Sequence, residues 1–150
     1  MNNIIIGADL VPTRSNASLF ESGDVNGLLG TELLNLLKAA DYRIFNLEVP
    51  LTDKPRPIVK CGPNLIAATK CIDGYRAMGV DLLTLANNHI LDQGQEGLES
   101  TIQILEQMNI AYTGVGNTPE DAKKPFVFKC GGKVIGVYAC AEHEFSIVTN

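Results

Sequence analysis

The chain has no long apolar run, no run of basic residues and no Cys-x-x-Cys pair. No stretch approaches the ~18 consecutive apolar residues that a membrane span needs. Met1 to Ala8 lacks a basic n-region, so it reads as neither a signal peptide nor a membrane anchor. The formal net charge is −5, and nothing interleaves aromatic with basic side chains in the way that tracks a phosphate backbone. Nucleic acid is therefore not an expected partner. The four cysteines, at 61, 71, 130 and 140, have spacings that support neither a disulfide framework nor a thiolate zinc site. They are expected to be reduced and mostly buried, in a cytoplasmic protein.

What is present describes a globular α/β chain. Its 150 residues are 45% hydrophobic and 19% charged, enough for one domain with a real core. Strands are predicted at Ile4–Ala8, Tyr42–Asn46, Val80–Leu85 and Ile110–Thr113. A hairpin is predicted from Phe126–Lys129 and Val134–Ala139, flanking Gly131-Gly132. Leu29, Leu33, Leu36 and Leu37 recur at helical spacing within Gly27–Ala39, where Asp24 or Asn26 can cap. Further helices are predicted over Leu65–Met78, closed by Gly79, and over Glu96–Met108, stopped by Asn109. Leu10–Gly23 reads as irregular, and Val49–Pro63 as a long, proline-punctuated loop. Strands alternating with helices imply a mostly parallel sheet, edged by the antiparallel hairpin. No clear closing element follows Glu142, so residues 1–150 are expected to form a single domain that is the N-terminal part of a larger one.

The ends of three predicted strands carry the chemistry. In open α/β sheets ligands bind beyond the carboxyl ends of the strands, and there the sequence places Asp9, then Asn46-Leu47-Glu48, then Asn87-Asn88-His89. An Asp, a Glu and an Asn carbonyl are oxygen ligands suited to a divalent cation. Two such ions ~3.5–4 Å apart can clamp a phosphoryl oxygen and activate water. Taken singly, each of these residues could be a cap or a surface group; three together favour a site. Asp92, three residues after His89, can bond the ring and fix its tautomer, or cap the helix that follows, or both. Arg14 and Lys60 lie in polar loops after site-bearing strands, where a cation would bind phosphate or carboxylate, against the competing reading of a solvated charge. Glu142 follows the last strand and can also reach the rim. Gly114-Val115-Gly116 lacks the third glycine of a dinucleotide fingerprint and reads as a turn.

These segments resemble a known family. Gly7-Ala8-Asp9-Leu10, Asn46-Leu47-Glu48-Val49-Pro50-Leu51-Thr52, Leu85-Ala86-Asn87-Asn88-His89-Ile90-Leu91-Asp92-Gln93-Gly94 and Gly114-Val115-Gly116 occur in the order found in the CapA family of bacterial capsule and poly-γ-glutamate synthesis proteins. That family belongs to the calcineurin-like metallophosphoesterase superfamily, and the resemblance covers essentially the whole chain. Lys60-Cys61-Gly62-Pro63-Asn64-Leu65 and Ala141-Glu142-His143-Glu144-Phe145-Ser146 look like motifs of a subfamily.

The resemblance implies a four-layer α/β/β/α metallophosphatase-like fold, of which this chain supplies roughly the first half. It implies metal ligation by Asp9, Glu48 and Asn88, catalysis by His89 with Asp92 orienting it, and supporting or substrate contacts from Asn46 and Asn87. The implied cofactor is Mn, Mg, Fe or Zn, and the implied partner is a phosphate- or carboxylate-bearing small molecule or polymer. Two departures bear on this. Val11 stands where the superfamily often has a histidine, and the histidine motifs of the family's second half are missing, with His143 in a different motif. The metal site is accordingly expected to be incomplete in this chain alone. Two further readings remain open: a non-catalytic polyanion-binding or assembly protein of capsule synthesis, and an inactive fragment.

Overall fold

Four short apolar segments lie side by side in sequence order: β1 (Ile4–Asp9), β2 (Tyr42–Asn46), β3 (Leu82–Thr84) and β4 (Ala111–Thr113). The computed structural model describes residues 3–142, and in it every pairing within this sheet is parallel. Alternation along the strands divides the core in two. Phe45, Leu83 and Leu85 face the helices and join Leu37, Leu47, Tyr75 and Leu105 in the larger cluster. Ile44 and Leu82 face the opposite way, against Phe128 of the hairpin.

That hairpin, β5 (Phe126–Cys130) and β6 (Lys133–Val137), closes through Gly131 and Gly132, whose φ values of 59° and 73° suit a two-residue turn. It forms its own two-stranded sheet rather than an edge of the first. Phe126, Phe128, Ile135 and Val137 make one side of it apolar, and only stacking on a sheet face buries that side. Tyr42 and Phe128 are stacked with ring centroids 3.8 Å apart. The layers thus run helices, parallel sheet, second sheet, as a partial metallophosphatase-like fold requires.

The helical layer departs from the predicted spans. The stretch expected to be irregular contains α1 (Ala17–Ser22), held by Phe20 against Tyr75 with centroids 5.1 Å apart. In α2 (Val25–Lys38) the cap is Asp24, which accepts the Gly27 N–H at 3.0 Å, and the helix breaks at Gly30. The break rotates the leucine stripe, so Leu34 and Leu37 are buried while Leu33 and Leu36 are exposed. The predicted 65–78 helix shrinks to a 3₁₀ turn (Thr69–Cys71) and α3 (Ile72–Ala77). Ala67 is instead bridged in parallel to Leu51. The helix α4 (Gly94–Gln107) stops where Asn109 takes a left-handed φ of 55°, and a short α5 (Pro119–Ala122) precedes the hairpin. Among the described residues no helix is long and apolar enough to cross a membrane.

The first part of the predicted long loop is core. Val49, Pro50, Leu51 and Thr52 are buried, whereas Asp53–Pro57, Val59 and Cys61–Pro63 are exposed. The reason is a polar group hidden in α4. Thr101 Oγ1 accepts the Leu51 N–H at 2.8 Å and donates to Gly97 O at 2.8 Å. Thr101→Val keeps the shape but orphans a buried N–H, so it is expected to cost about 1–3 kcal/mol in urea unfolding.

The cysteines also differ from expectation. Cys71 is buried, Cys130 is half-buried, and Cys61 and Cys140 are exposed. Burial, reinforced by the charge of Glu21, pushes the Cys71 thiol up to about 11. Its thiolate fraction at pH 8 is then about one in a thousand. Alkylation at pH 8 should label Cys61 and Cys140 readily and spare Cys71 until the protein is unfolded, a pattern that peptide mapping reads directly.

Candidate functional site at the strand ends

One extra residue in β1 creates the first part of the site. Ile6 pairs with Ile44, but Asp9 rather than Ala8 pairs with Asn46. A one-residue bulge flips the side of every later residue. It therefore turns the Asp9 carboxylate onto the same face as Asn46. Glycine at position 7 permits this, because a Cβ there would lie 2.1 Å from the Phe45 ring. Asn46 Nδ2 then donates to Asp9 Oδ1 at 2.7 Å. The Asn46 carbonyl oxygen accepts from Thr84 Oγ1 at 3.1 Å and from Asn87 Nδ2 at 3.3 Å. A chain of amides thus links the ends of β1, β2 and β3.

Asn87 is consumed by the backbone on both sides. Its Nδ2 donates to Leu47 O at 2.8 Å, and its Oδ1 accepts the N–H groups of His89 and Ile90 at 3.0 and 2.9 Å. This side-chain-to-backbone turn stops β3 and sets His89 at its tip. Asn46 and Asn87, expected as supporting or substrate-contacting groups, therefore shape the rim by tying its strands together.

Below His89 lies a buried ionic array. His89 Nδ1 sits 2.7 Å from Asp92 Oδ2, and Lys60 Nζ pairs with Asp92 Oδ1. The Asp92 side chain is fully buried, that of Lys60 is 3% exposed and that of His89 is 16% exposed. Asp92 Oδ2 also accepts the Leu65 N–H at 2.6 Å. Asp92 spends its oxygens on these partners and not on the helix amides of α4, whose start has no side-chain cap. An ionised carboxylate is acceptor-only, so the short contact places a proton on His89 Nδ1. The opposite tautomer would set two acceptors 2.7 Å apart. Lys60 Nζ lies 3.3 Å from Nδ1, and both donors share one carboxylate. His89 Nε2, the other ring nitrogen, has no hydrogen-bond partner among the described residues.

The same array ties down the loop that carries Lys60. Ile58 N–H donates to the Asp92 backbone carbonyl at 3.0 Å. Gln93, buried next to it, donates to Leu65 O at 2.9 Å and accepts the Arg56 N–H at 2.7 Å. Sequence reasoning missed Thr84 and Gln93 as parts of the site. It read Lys60 as a cation facing a ligand, whereas its ammonium is already balanced by Asp92. The signal was there: Lys60 stands in the otherwise uncharged segment Pro57–Leu65.

The remaining expected residues are less connected. Glu48 and Asn88 are half-buried, and among the described residues their side chains have no hydrogen-bond partner. Arg14 is exposed and lines a separate cavity with Val11, Thr13 and Asn64. Glu142 is exposed at the end of the described residues, and His143 lies outside them. Among the described residues no three His, Cys, Asp or Glu side chains come together as a metal-holding group. Asp92 is spent, and one oxygen of Asp9 is taken by Asn46. These residues therefore do not by themselves fit a closed metal shell.

An α/β chain with amides, a carboxylate and an imidazole on the carboxyl rim of a parallel sheet, and a second sheet behind it, is the class that fold and site define. Residues 4–149 match the family described as bacterial capsule synthesis protein PGA_cap, and the chain belongs to that family. Its relatives include the capsule biosynthesis protein CapA of Bacillus anthracis, 32% identical over 90 residues (58% of this chain, 22% of that protein). The PGA biosynthesis protein CapA of Bacillus subtilis (strain 168) is 29% identical over 103 residues (68% and 26%). An uncharacterized protein, y4sH, of Sinorhizobium fredii (strain NBRC 101917 / NGR234) is 28% identical over 116 residues (74% and 25%). The chain thus spans about a quarter of the length of the curated relatives it matches.

Proposed function

We propose that this chain carries the proton-handling side of a phosphoesterase-like site acting in capsule or poly-γ-glutamate synthesis. The observation that supports this most is the buried Lys60–Asp92–His89 array, which fixes one imidazole at a strand end with its outer nitrogen free. In such a reaction water adds to phosphorus and the ester oxygen leaves. His89 Nε2, once protonated, gives that oxygen its proton and recovers one from the attacking water. Asp92 holds the ring in place and stabilises the imidazolium that forms. Lys60 pairs with Asp92 and holds it in place.

Asp9, Glu48 and Asn88 are the oxygen donors available for a divalent ion. Because they do not converge with a third acidic or imidazole group among the described residues, our reading is that a working shell needs donors from elsewhere. Titrating Mn²⁺ and Zn²⁺ into the 150-residue chain should give weak or no binding by calorimetry, unaffected by Asn88→Ala. Tight binding lost in Asn88→Ala would show that the shell is complete here. The same lack of convergence favours the second reading, in which the rim binds a polyanion without turning it over. Hydrolysis of a generic phosphodiester by the native full-length protein decides between them.

A further inference from the structure

The residue that follows Asp9 is gripped from two sides, and one of the grips comes from the helical layer. Leu10 N–H donates to Asn46 O at 2.9 Å, and Leu10 O accepts the Tyr75 hydroxyl at 2.8 Å. Tyr75 belongs to α3, is fully buried and rests against Phe20 of α1. Those two helices meet almost backbone to backbone, since a Cβ at Gly74 would lie 2.7 Å from the Phe20 Cα. A ring packed this closely has little room to shift. Burial pushes the Tyr75 hydroxyl well above its ordinary range, so it stays a protonated donor at any working pH.

Asp9 needs such a hold. The strand β1 lies at the edge of its sheet, with β2 as its one neighbour there, and the bulge falls between Ile6 and Asp9. Asp9 is exposed, so packing does not fix its carboxylate. Strand register is weakly specified where large side chains are missing, and Gly7-Ala8 is such a stretch. In the unbulged register Ala8 would pair with Asn46, and the carboxylate would turn to the helical face. We infer that Tyr75 is a positioning residue, whose hydroxyl holds Leu10 so that the bulged register persists and Asp9 stays on the rim. The inference rests on the proposed function for the role of Asp9, and extends that site to a tyrosine of the buried core.

Tyr75→Phe keeps the ring and deletes one oxygen. Thr101→Val is the control, because it also loses a buried hydrogen bond, but at Leu51. Amide exchange and side-chain amide spectra are recorded on the native full-length protein. The Leu10 amide is expected to exchange about fivefold faster or more in Tyr75→Phe than in the control, as loss of one hydrogen bond implies. The Asn46 side-chain amide, which donates to Asp9 Oδ1, should change its resonance position in Tyr75→Phe and keep it in Thr101→Val. Phosphodiester turnover should fall about tenfold or more in Tyr75→Phe alone, as misplacement by about an ångström allows. If Tyr75→Phe does not fold, the wild type decides: its Tyr75 hydroxyl proton should be protected from water, and exchange as fast as a surface tyrosine's would overturn the assignment. So would an Asn46 signal unmoved by Tyr75→Phe, or a Leu10 amide no faster than in the control. Both spectral changes in a protein without phosphodiesterase activity would sink the hydrolase reading alone.

Discussion

Asp92→Asn is expected to lower the stability of the fold by about 3–5 kcal/mol, one of the two largest effects in this protein. Asn is nearly isosteric, so the loss is not one of packing. It leaves the Lys60 ammonium, 3% exposed, without its counter-charge. It also weakens the acceptor for the Leu65 N–H and the His89 ring, both now within 2.7 Å of the carboxylate. Burying an unpaired charge costs far more than the net value of the pair, because two charges already taken out of water regain most of that penalty from each other. The double variant Lys60→Met/Asp92→Leu should therefore recover most of what Asp92→Asn loses. Urea unfolding of the three proteins tests this. A cost below about 1 kcal/mol for Asp92→Asn would show the pair to be solvated instead.

His89→Ala is expected to have the opposite profile. The ring is partly exposed, and its one strong bond runs to a carboxylate that keeps Lys60 and the Leu65 amide. Stability should change by about 1 kcal/mol or less. Phosphodiester turnover by the native full-length protein should fall about 10²–10⁴-fold, the usual contribution of a positioned proton-transfer group. Partial rescue by added imidazole would identify the missing function as proton transfer. A variant with wild-type turnover would place the chemistry elsewhere on the rim.

Much of this was legible in the sequence because it depends on local period and on where strands end. Ile44 and Phe45 alternate as a strand must, and Asn87 to Asp92 interrupts an apolar run too abruptly to be packing. The α2 stripe misled because Gly30 breaks the helix, and a helical spacing count is blind to one left-handed residue. The bulge in β1 was equally hidden. Alternation alone puts Asp9 on the helical face, and only the pairing with Asn46 reveals the extra residue. Lys60 and Asp92 are 32 residues apart in sequence, and composition cannot tell a buried lysine from a solvated one. Packing of the 49–65 segment decided it. That segment reads as loop because of its prolines, yet Thr101, Asp92 and Gln93 supply the hydrogen bonds its backbone needs.

The central claim is that Asp92 and Lys60 hold His89 with its proton inward and its other nitrogen free. The sequence has two histidines, His89 and His143, so ring ¹⁵N spectra of the histidine-labelled chain can be assigned by comparison with His89→Ala. In its neutral form the His89 ring should show a protonated Nδ1 and an unprotonated Nε2. A ring protonated on Nε2 instead, with Nδ1 bare, would contradict the account at its centre.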